Sequence, residues 1–321
     1  MKKLITTVAV GLSLAATGAM AQDTNLSIAT GGTGGTYYPI GGGLGELIGH
    51  HIDGYTGVAE VTGASVENMG LVFREDSDMA LALADTVVQA YNGEGPFDGN
   101  QLSSLRALGS VYPNAVQLVT LADSDVHSLS DLAGKRVSVG APGSGTEVSA
   151  NTLLEANGMS AEDFNAQRLN FNETADALRD GDIAAGFWSV GPPTSSIMSL
   201  ANARDIRIST LSEEEIANAI EAQPVFATYN MPAGTYDGVD EVVTTIGTPN
   251  VLVVNASMDE QLAYDITRVM FEHVQELRDI HSAANSTTVE FSLGATPIPM
   301  HAGAMRYYEE TGEDIPDRVR E

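Results

Sequence analysis

Four glycine-containing turns, each between a predicted strand and a predicted helix, offer the clearest ligand chemistry in this 321-residue sequence. They occupy residues 31–39, 62–65, 140–147 and 191–194. The start of a helix presents unpaired N–H groups and a partial positive charge, and glycine lets the backbone approach a ligand closely. Several such starts around one cleft would bind an anion without arginine or lysine. Each turn alone is also typical of an ordinary strand-to-helix connection, but four of them favour a shared cleft.

The residue types around the turns support these helix starts. Pro39 suits the first helical position, where its missing N–H group costs nothing. Ser65 is the expected N-cap of the second helix, and Ser144 and Glu147 have the spacing of a capping box. We therefore expect each of these turns to lead directly into a helix.

Aromatic side chains accompany the turns. Tyr37, Tyr38, Tyr112 and Trp188 stand at predicted strand ends or helix starts, where clefts at sheet edges bind ligands. Trp188 is the only tryptophan of the chain. Packing between two lobes explains it as well as ligand contact does.

The same turns lack the residues that catalytic motifs require. Thr146 stands where a phosphate-binding loop of the form G-x-x-x-x-G-K-[ST] needs its lysine. Tyr37 stands where the motif G-x-G-x-x-G needs its third glycine. Ser144 is not in a nucleophile elbow, because Pro142 and Thr146 occupy the two glycine positions of that motif. The sequence therefore predicts no catalytic residues and no cofactor.

Metal ligands are sparse in the sequence. The chain has no cysteine, so a metal site would need histidines and carboxylates. His50, His51 and Asp53 form the one such cluster along the sequence, and we interpret the histidines as a helix end that favours positive charge. The sequence therefore predicts no metal site.

The N-terminus indicates export from the cytoplasm. Lys2 and Lys3 precede an apolar run over residues 4–16, and Ala19 and Ala21 occupy the positions that signal peptidase requires. The run is too short to span a bilayer. We therefore predict a signal peptide over residues 1–21, a mature chain in the periplasm, and no insertion into the membrane. Without cysteine, the chain is neither a lipoprotein nor disulfide-bonded.

The charge balance excludes two classes of partner. The formal net charge is −28, and removal of Lys2 and Lys3 with the signal peptide makes it −30. Such a surface repels nucleic acid and anionic lipid. The acidic residues are scattered, which indicates a solvated folded surface.

The remaining pattern alternates short apolar strands with amphipathic helices, which is typical of α/β domains with parallel sheets. The pattern restarts near residue 129, and residues 251–254 followed by a long predicted helix over 258–277 indicate a return to the first unit. Two lobes of ordinary size also suit about 300 residues. We predict a discontinuous lobe I over residues 22–112 and 252–321, and a lobe II over residues 113–251.

Five segments resemble the TAXI family, the extracytoplasmic solute receptors of TRAP-type (tripartite, ATP-independent periplasmic) transporters. They are residues 30–41 (TGGTGGTYYPIG), 62–68 (TGASVEN), 131–137 (DLAGKRV), 140–147 (GAPGSGTE) and 298–308 (IPMHAGAMRYY). The resemblance covers nearly the whole mature chain, and its first and last segments are the specific ones. It implies an α/β type II periplasmic-binding-protein fold, with two lobes joined by two crossing strands and a ligand cleft between them.

The resemblance also implies a ligand wall. Its residues would be Gly35, Thr36 and Tyr37, then Ser65 and Asn68, and in the other lobe Ser144, Gly145 and Thr146, with Trp188 and Pro192 opposite. Tyr112, at a predicted strand end, joins this predicted set. TRAP receptors of the other main type grip a carboxylate with arginine, but no arginine lies in these loops. Helix starts would therefore hold the anion.

Three functions remain open on the sequence. The first is a monomeric receptor that captures a small carboxylate, such as glutamate, glutamine or 2-oxoglutarate, and delivers it to the membrane permease subunits of a TRAP transporter. The second is a sensor of the same fold that acts on a membrane signalling protein. The third is a secreted enzyme on a similar scaffold, which the lack of a catalytic set disfavours.

Overall fold

The structure, a computed structural model, describes residues 23–160 and 162–320, so the predicted signal peptide lies outside the described residues. Strands and helices alternate along this part of the chain. The strands are β1 (Thr24–Ala29), β2 (Tyr55–Glu60), β3 (Met79–Leu83), β4 (Leu105–Leu121), β5 (Arg136–Ser138), β6 (Asn165–Gln167), β7 (Ala185–Val190), β8 (Ile206–Ile208), β9 (Ala227–Met231) and β10 (Val243–Asn255). The α-helices are α1 (Tyr37–His51), α2 (Ser65–Phe73), α3 (Ala84–Asn92), α4 (Gly145–Ala156), α5 (Phe171–Asp180), α6 (Ser195–Ala203), α7 (Glu213–Ala222), α8 (Glu260–Glu272), α9 (Val274–Ile280), α10 (Val289–Ala295) and α11 (Ala302–Thr311).

The strands form one continuous sheet with the order β2-β1-β3-β10-β4-β7-β5-β6, in which β8 adds to β4 and β9 to β10. Strand β1 pairs in parallel with β2 and β3, and β5 pairs in parallel with β6 and β7. The antiparallel pair β4 and β10 joins these two parallel ends. Parallel strands need helical crossovers, which the helices between them supply. The α/β fold with two crossing strands, predicted above, is confirmed.

The crossing strands are longer than the sequence pattern indicated. The apolar pattern of the sequence predicts two strands near the crossing, over residues 105–110 and 116–121, but β4 runs unbroken through both. Pro113 interrupts the apolar pattern without ending the strand. It faces Pro249 of β10, where the register of the pair shifts. Because proline cannot donate a ladder hydrogen bond, an irregular position in the pairing is where it is tolerated.

Buried apolar side chains divide at the crossing strands. One cluster draws on residues 26–112 and 251–319, and two further clusters lie within residues 116–246. We propose on this basis that the lobe boundaries predicted above hold, and we use lobe I and lobe II for those two parts of the chain. In the described part of the chain, no helix is long and apolar enough to cross a membrane.

Two helices differ from their expected bounds. Helix α1 begins at Tyr37, so Pro39 is its third residue rather than its first. Proline is tolerated there because N–H groups of the first turn have no acceptor within the helix. The single helix expected over residues 258–277 is two helices, α8 and α9, which His273 separates with a φ of −112°.

Candidate functional site

A cavity of about 270 Å³ lies between the two lobes. Both lobes line it, mainly through the starts of helices α1, α2, α4 and α5. The lining residues are Gly31, Gly32, Gly35, Thr36, Tyr37, Val61, Thr62, Gly63, Ala64, Ser65, Leu83, Asn114, Ala141, Ser144, Gly145, Thr146, Asn170, Phe171, Ser189 and Val190. Within the described residues, no charged side chain lines the cavity. Recognition there must come from dipoles, hydroxyls, amides and apolar surface.

The start of α1 reaches the cavity with free backbone donors. The Thr36 hydroxyl does not cap its own helix, but donates across the cleft to the carbonyl of Gly191 at 2.6 Å. The Tyr37 hydroxyl donates to Oδ1 of Asn250 at 2.5 Å, which fixes the ring. Among the described residues, the amides of Thr36 and Tyr37 have no hydrogen-bond acceptor. These two N–H groups are therefore available to an anion.

The start of α2 is partly closed by a backbone carbonyl from the other lobe. The predicted cap was wrong: Ala64 is the N-cap, at a φ of 77°, and Ser65 is the first helical residue. The amides of Val66 and Glu67 donate to the carbonyl of Gly143 at 3.1 and 3.3 Å. A carbonyl from lobe II thus replaces a capping side chain. The Ser65 hydroxyl instead accepts from the amide of Leu83 at 3.1 Å.

The start of α4 supplies the second set of free donors. Ser144 is its N-cap as predicted, and its hydroxyl accepts from the amide of Glu147 at 3.2 Å. The amides of Gly145 and Thr146 have no acceptor among the described residues. Lobe I and lobe II therefore each contribute a helix start with two free N–H groups to the same cavity, and the amides of Ser65 and Phe171 likewise have no acceptor among the described residues.

The start of α5 adds an aromatic wall. Asn170 caps this helix by accepting from the amide of Glu173 at 3.0 Å, and Phe171 follows at the cavity. The Phe171 ring stacks on Trp188, with centroids 6.0 Å apart and planes 19° apart. Trp188 is fully buried within lobe II, where its Nε1 donates to the Ser196 hydroxyl at 3.1 Å. It supports Phe171 from behind.

A chain of amides crosses between the two long strands at the floor of the cavity. Nδ2 of Asn250 donates to Oδ1 of Asn114 at 2.7 Å, and Nδ2 of Asn114 donates to the carbonyl of Ser189 at 3.0 Å. Ser189 lines the cavity, and its hydroxyl is buried without a partner among the described residues. A buried polar group without a partner costs free energy, so a ligand atom that came within hydrogen-bonding distance of this hydroxyl would be stabilised.

Burial raises the pKa values of two titratable groups at or near the cavity, Tyr37 and Asp85. Burial raises the pKa of Tyr37 far above its ordinary value, and the nearby charge of Asp85 adds to this effect, while a hydrogen bond with Ser65 opposes it. Burial also raises the pKa of Asp85 to about 6, against hydrogen bonds from Ser149 and from the backbone. The Ser149 hydroxyl donates to Oδ2 of Asp85 at 2.6 Å, which joins α4 of lobe II to α3 of lobe I.

Most of the predicted ligand wall lines the cavity, and some of it does not. The lining includes the predicted residues Gly35, Thr36, Tyr37, Ser65, Ser144, Gly145 and Thr146. Asn68, Tyr112, Trp188 and Pro192 lie outside the lining.

Three of these four residues make contacts elsewhere in the structure. Asn68 is buried, and its Nδ2 donates to the carbonyls of Thr30 and Leu81 at 2.7 and 2.8 Å, which ties the ends of β1 and β3 together. The ring of Tyr112 is fully buried and packs on Gly191. Pro192 lies between Gly191 and Pro193, whose carbonyls accept hydrogen bonds from lobe I.

Several lining residues are not among the site residues predicted from the sequence. Asn170 and Glu173 have the same capping-box spacing that identified Ser144, so a local signal for this helix start was present. Ser189 follows Trp188 at the end of a predicted strand, which is a weaker signal. The sequence carries no local signal for Asn114, because its position depends on the pairing of two strands that are distant in the sequence.

The comparisons with known proteins agree with this architecture. The model of the NMT1-like family matches residues 28–312. The chain belongs to the NMT1-like family. This description specifies neither a transporter type nor a ligand, so the more specific TAXI resemblance stays a prediction.

Solved structures similar to this member of the NMT1-like family share its fold. The periplasmic aliphatic sulphonate binding protein SsuA from Escherichia coli matches with a TM-score of 0.50 at 13% identity, over 90% of this chain and 84% of that one. A protein from Bordetella bronchiseptica RB50 matches with a TM-score of 0.52 at 17% identity, over 92% and 91%. A chain from a study of glutathione import via GshT and the cystine ABC importer TcyBC of Streptococcus mutans matches with a TM-score of 0.50 at 12% identity, over 81% and 93%.

Proposed function

We propose that this protein is an extracytoplasmic solute-binding protein, not an enzyme, that captures a small organic carboxylate between its lobes. The observation that carries the proposal is the pair of helix starts, one from each lobe, with free N–H groups at the same cavity. A carboxylate bound there would accept from Thr36 or Tyr37 on one side and from Gly145 or Thr146 on the other. The predicted signal peptide supports a periplasmic location.

The remaining lining supports a ligand with a short apolar body. Leu83, Val190 and the ring of Phe171 provide apolar surface, while Ser189 and Asn114 provide polar positions on the floor. The volume of about 270 Å³ suits a small solute, just below the range typical of drug-sized ligands. The absence of a lining cation within the described residues disfavours ligands that carry several negative charges.

Delivery to a TRAP-type permease is the transport route we propose, on the strength of the segment over residues 30–41 and the segment over residues 298–308. Delivery to an ABC importer is the second candidate, because one structurally similar chain comes from a study of import via a cystine ABC importer. Uptake of the bound solute into proteoliposomes that contain the cognate permease separates the two. TRAP-type uptake should stop when the ion gradient is dissipated, and ABC-type uptake should stop when ATP is removed.

The first experiment is a thermal-shift screen of the chain from Gln22 onward against carboxylates, amino acids, sulphonates and sugars. A ligand that binds only the folded state raises the melting temperature by mass action. We expect a small carboxylate to give the largest shift and calorimetry to show one site per chain. A response to sugars or cations with none to carboxylates would overturn the anion site, and consumption of a bound ligand, followed by mass spectrometry, would overturn the non-enzymatic function.

Ser189→Ala and Ser209→Ala are matched variants for locating the site. Both serines are buried and both hydroxyls lack a partner among the described residues, but only Ser189 lines the cavity. We expect Ser189→Ala to weaken binding of the screened carboxylate by about tenfold, since one hydrogen bond is worth about 1 kcal/mol or slightly more. Ser209→Ala should bind as the unmodified protein does. Equal affinities in both variants would move the ligand away from this cavity.

A further inference from the structure

A second cluster of ligand atoms lies at the opposite end of α1 from the cavity. The helix ends in His50 and His51, and Glu276 of α9 faces both. Nε2 of His51 lies 2.7 Å from Oε1 of Glu276, and Nδ1 of His50 lies 3.5 Å from Oε2. One ligand atom from each of the three residues lies within 4.8 Å of the other two. With 15 residues in α1, the cluster is about 22 Å from the cavity.

These separations suit ligands of a single metal ion. Zinc binds imidazole nitrogen and carboxylate oxygen at about 2.0–2.2 Å, so neighbouring ligand atoms around one ion lie roughly 3–3.5 Å apart. The 2.7 Å separation is slightly shorter than that range, and the 3.5 Å separation lies at its upper end. The His50 and His51 rings are perpendicular, with centroids 6.0 Å apart, so their lone pairs can approach one point from different directions.

The surroundings of the cluster include a third imidazole and an acidic surface. The ring of His273 stacks on His51, with centroids 3.5 Å apart and planes 11° apart, which holds the His51 ring in place. The formal net charge of −28 further attracts a cation to the surface.

We propose that His50, His51 and Glu276 form a surface site for a divalent first-row transition metal ion, with zinc, nickel and copper as the matching class. Two imidazoles and one carboxylate are borderline ligands, which suit these ions better than magnesium or calcium. Water completes the coordination, because the His50 side chain is 64% exposed and that of Glu276 is 41% exposed. The ion joins the end of α1 to α9 within lobe I, and the site does not depend on the proposed function of the cavity.

The test is calorimetric titration of Zn²⁺ and Ni²⁺ into the untagged chain from Gln22 onward, after treatment with a chelator. We expect one ion per chain. The variants His51→Ala and Glu276→Gln should each weaken binding by at least about tenfold, as even the loss of supporting residues does at other metal sites. His127→Ala removes a histidine outside the cluster, where it contacts Arg207, and should leave the affinity unchanged.

Copper provides a second readout of the ligands themselves. The electron paramagnetic resonance spectrum of one equivalent of bound Cu²⁺ should show coupling to imidazole nitrogen, and that coupling should diminish in His51→Ala. Absence of zinc or nickel binding, or equal binding by the His51→Ala and His127→Ala variants, would overturn the proposal and leave the cluster as an ion pair at a helix end. Circular dichroism of each variant verifies that it is folded.

Discussion

A methyl group added at Gly145 should keep the two lobes from closing on the ligand. Gly145 begins α4 in lobe II, and its Cβ would lie 2.5 Å from Oγ and 2.9 Å from Cβ of Ser65, and 2.7 Å from Cδ1 of Leu83, both in lobe I. Ordinary contacts begin near 3.4 Å. Ser65 cannot simply turn away, because its hydroxyl holds the amide of Leu83 at 3.1 Å. The overlap must therefore be relieved by separation of the lobes.

The size of the effect follows from that overlap. Overpacking by a methyl group costs about 1–3 kcal/mol, and here the cost falls on the closed form alone. Since about 1.4 kcal/mol is a factor of ten in affinity, binding in Gly145→Ala should weaken about 5- to 150-fold. The folding of each lobe should be unaffected, because Gly145 does not have a positive φ and alanine is tolerated at the start of a helix.

Two measurements on Gly145→Ala test whether the contacts of Gly145 with lobe I form on closure. Calorimetry with the carboxylate that gives the largest thermal shift measures the affinity, and small-angle X-ray scattering measures the radius of gyration with that ligand in excess. Gly42→Ala is the matched control, because a Cβ at Gly42 in α1 meets nothing within 4 Å. Unaltered affinity together with an unaltered radius of gyration in Gly145→Ala would refute the inference that these contacts form on closure.

Two further predictions follow from the same cleft. In Gly35→Val, the new Cβ would lie 3.0 and 3.1 Å from two atoms of the Phe171 ring, which is closer than ordinary contact. We therefore expect a folded protein that no longer binds the ligand in the thermal-shift screen. Retained affinity would show that this loop does not hold the ligand. The pKa of Asp85 is raised by burial from 3.8 to about 6, so the folded state binds more protons between those values, and stability is lost as pH rises through that window. Asp85→Asn should therefore raise the free energy of unfolding by up to about 3 kcal/mol at pH 7 and by little at pH 4, and urea unfolding at each pH measures both values. Asp182→Asn is the control, because Asp182 is exposed. An equal gain in the control, or no gain in Asp85→Asn, would contradict the prediction.

The glycine turns were predictable because their signals are local. The spacing of Ser144 and Glu147 predicted a capped helix start, and the structure has that cap. The Asn170 and Glu173 pair shows the same spacing, so the start of α5 could have been found by the same reasoning. The alternation of strands and helices, together with the family resemblance, was likewise enough to predict two α/β lobes joined by crossing strands.

The errors arise where a distant segment replaces a local partner. Ser65 was expected to cap α2, but the carbonyl of Gly143 accepts from that helix, so Ser65 is free to hold Leu83. Asn114 lines the cavity because β10 places Asn250 beside it. The sole tryptophan invites a functional interpretation, yet Trp188 is buried behind Phe171. No local spacing contains these arrangements, since each depends on a contact between segments that are separated in the sequence.

With the proposed function, a strongly acidic protein would bind an anion in this cavity because its surface charge and its helix-start donors act over different distances. The acidic residues are spread over a surface, and at about 0.1 M salt charges more than about 10 Å away are largely screened. The free N–H groups of Thr36, Tyr37, Gly145 and Thr146 act at hydrogen-bonding distance, where salt screens little. Because those donors are divided between the lobes, the proposed carboxylate would satisfy both helix starts only with the cleft closed. The same N–H groups that would select an anion would therefore also couple its capture to closure.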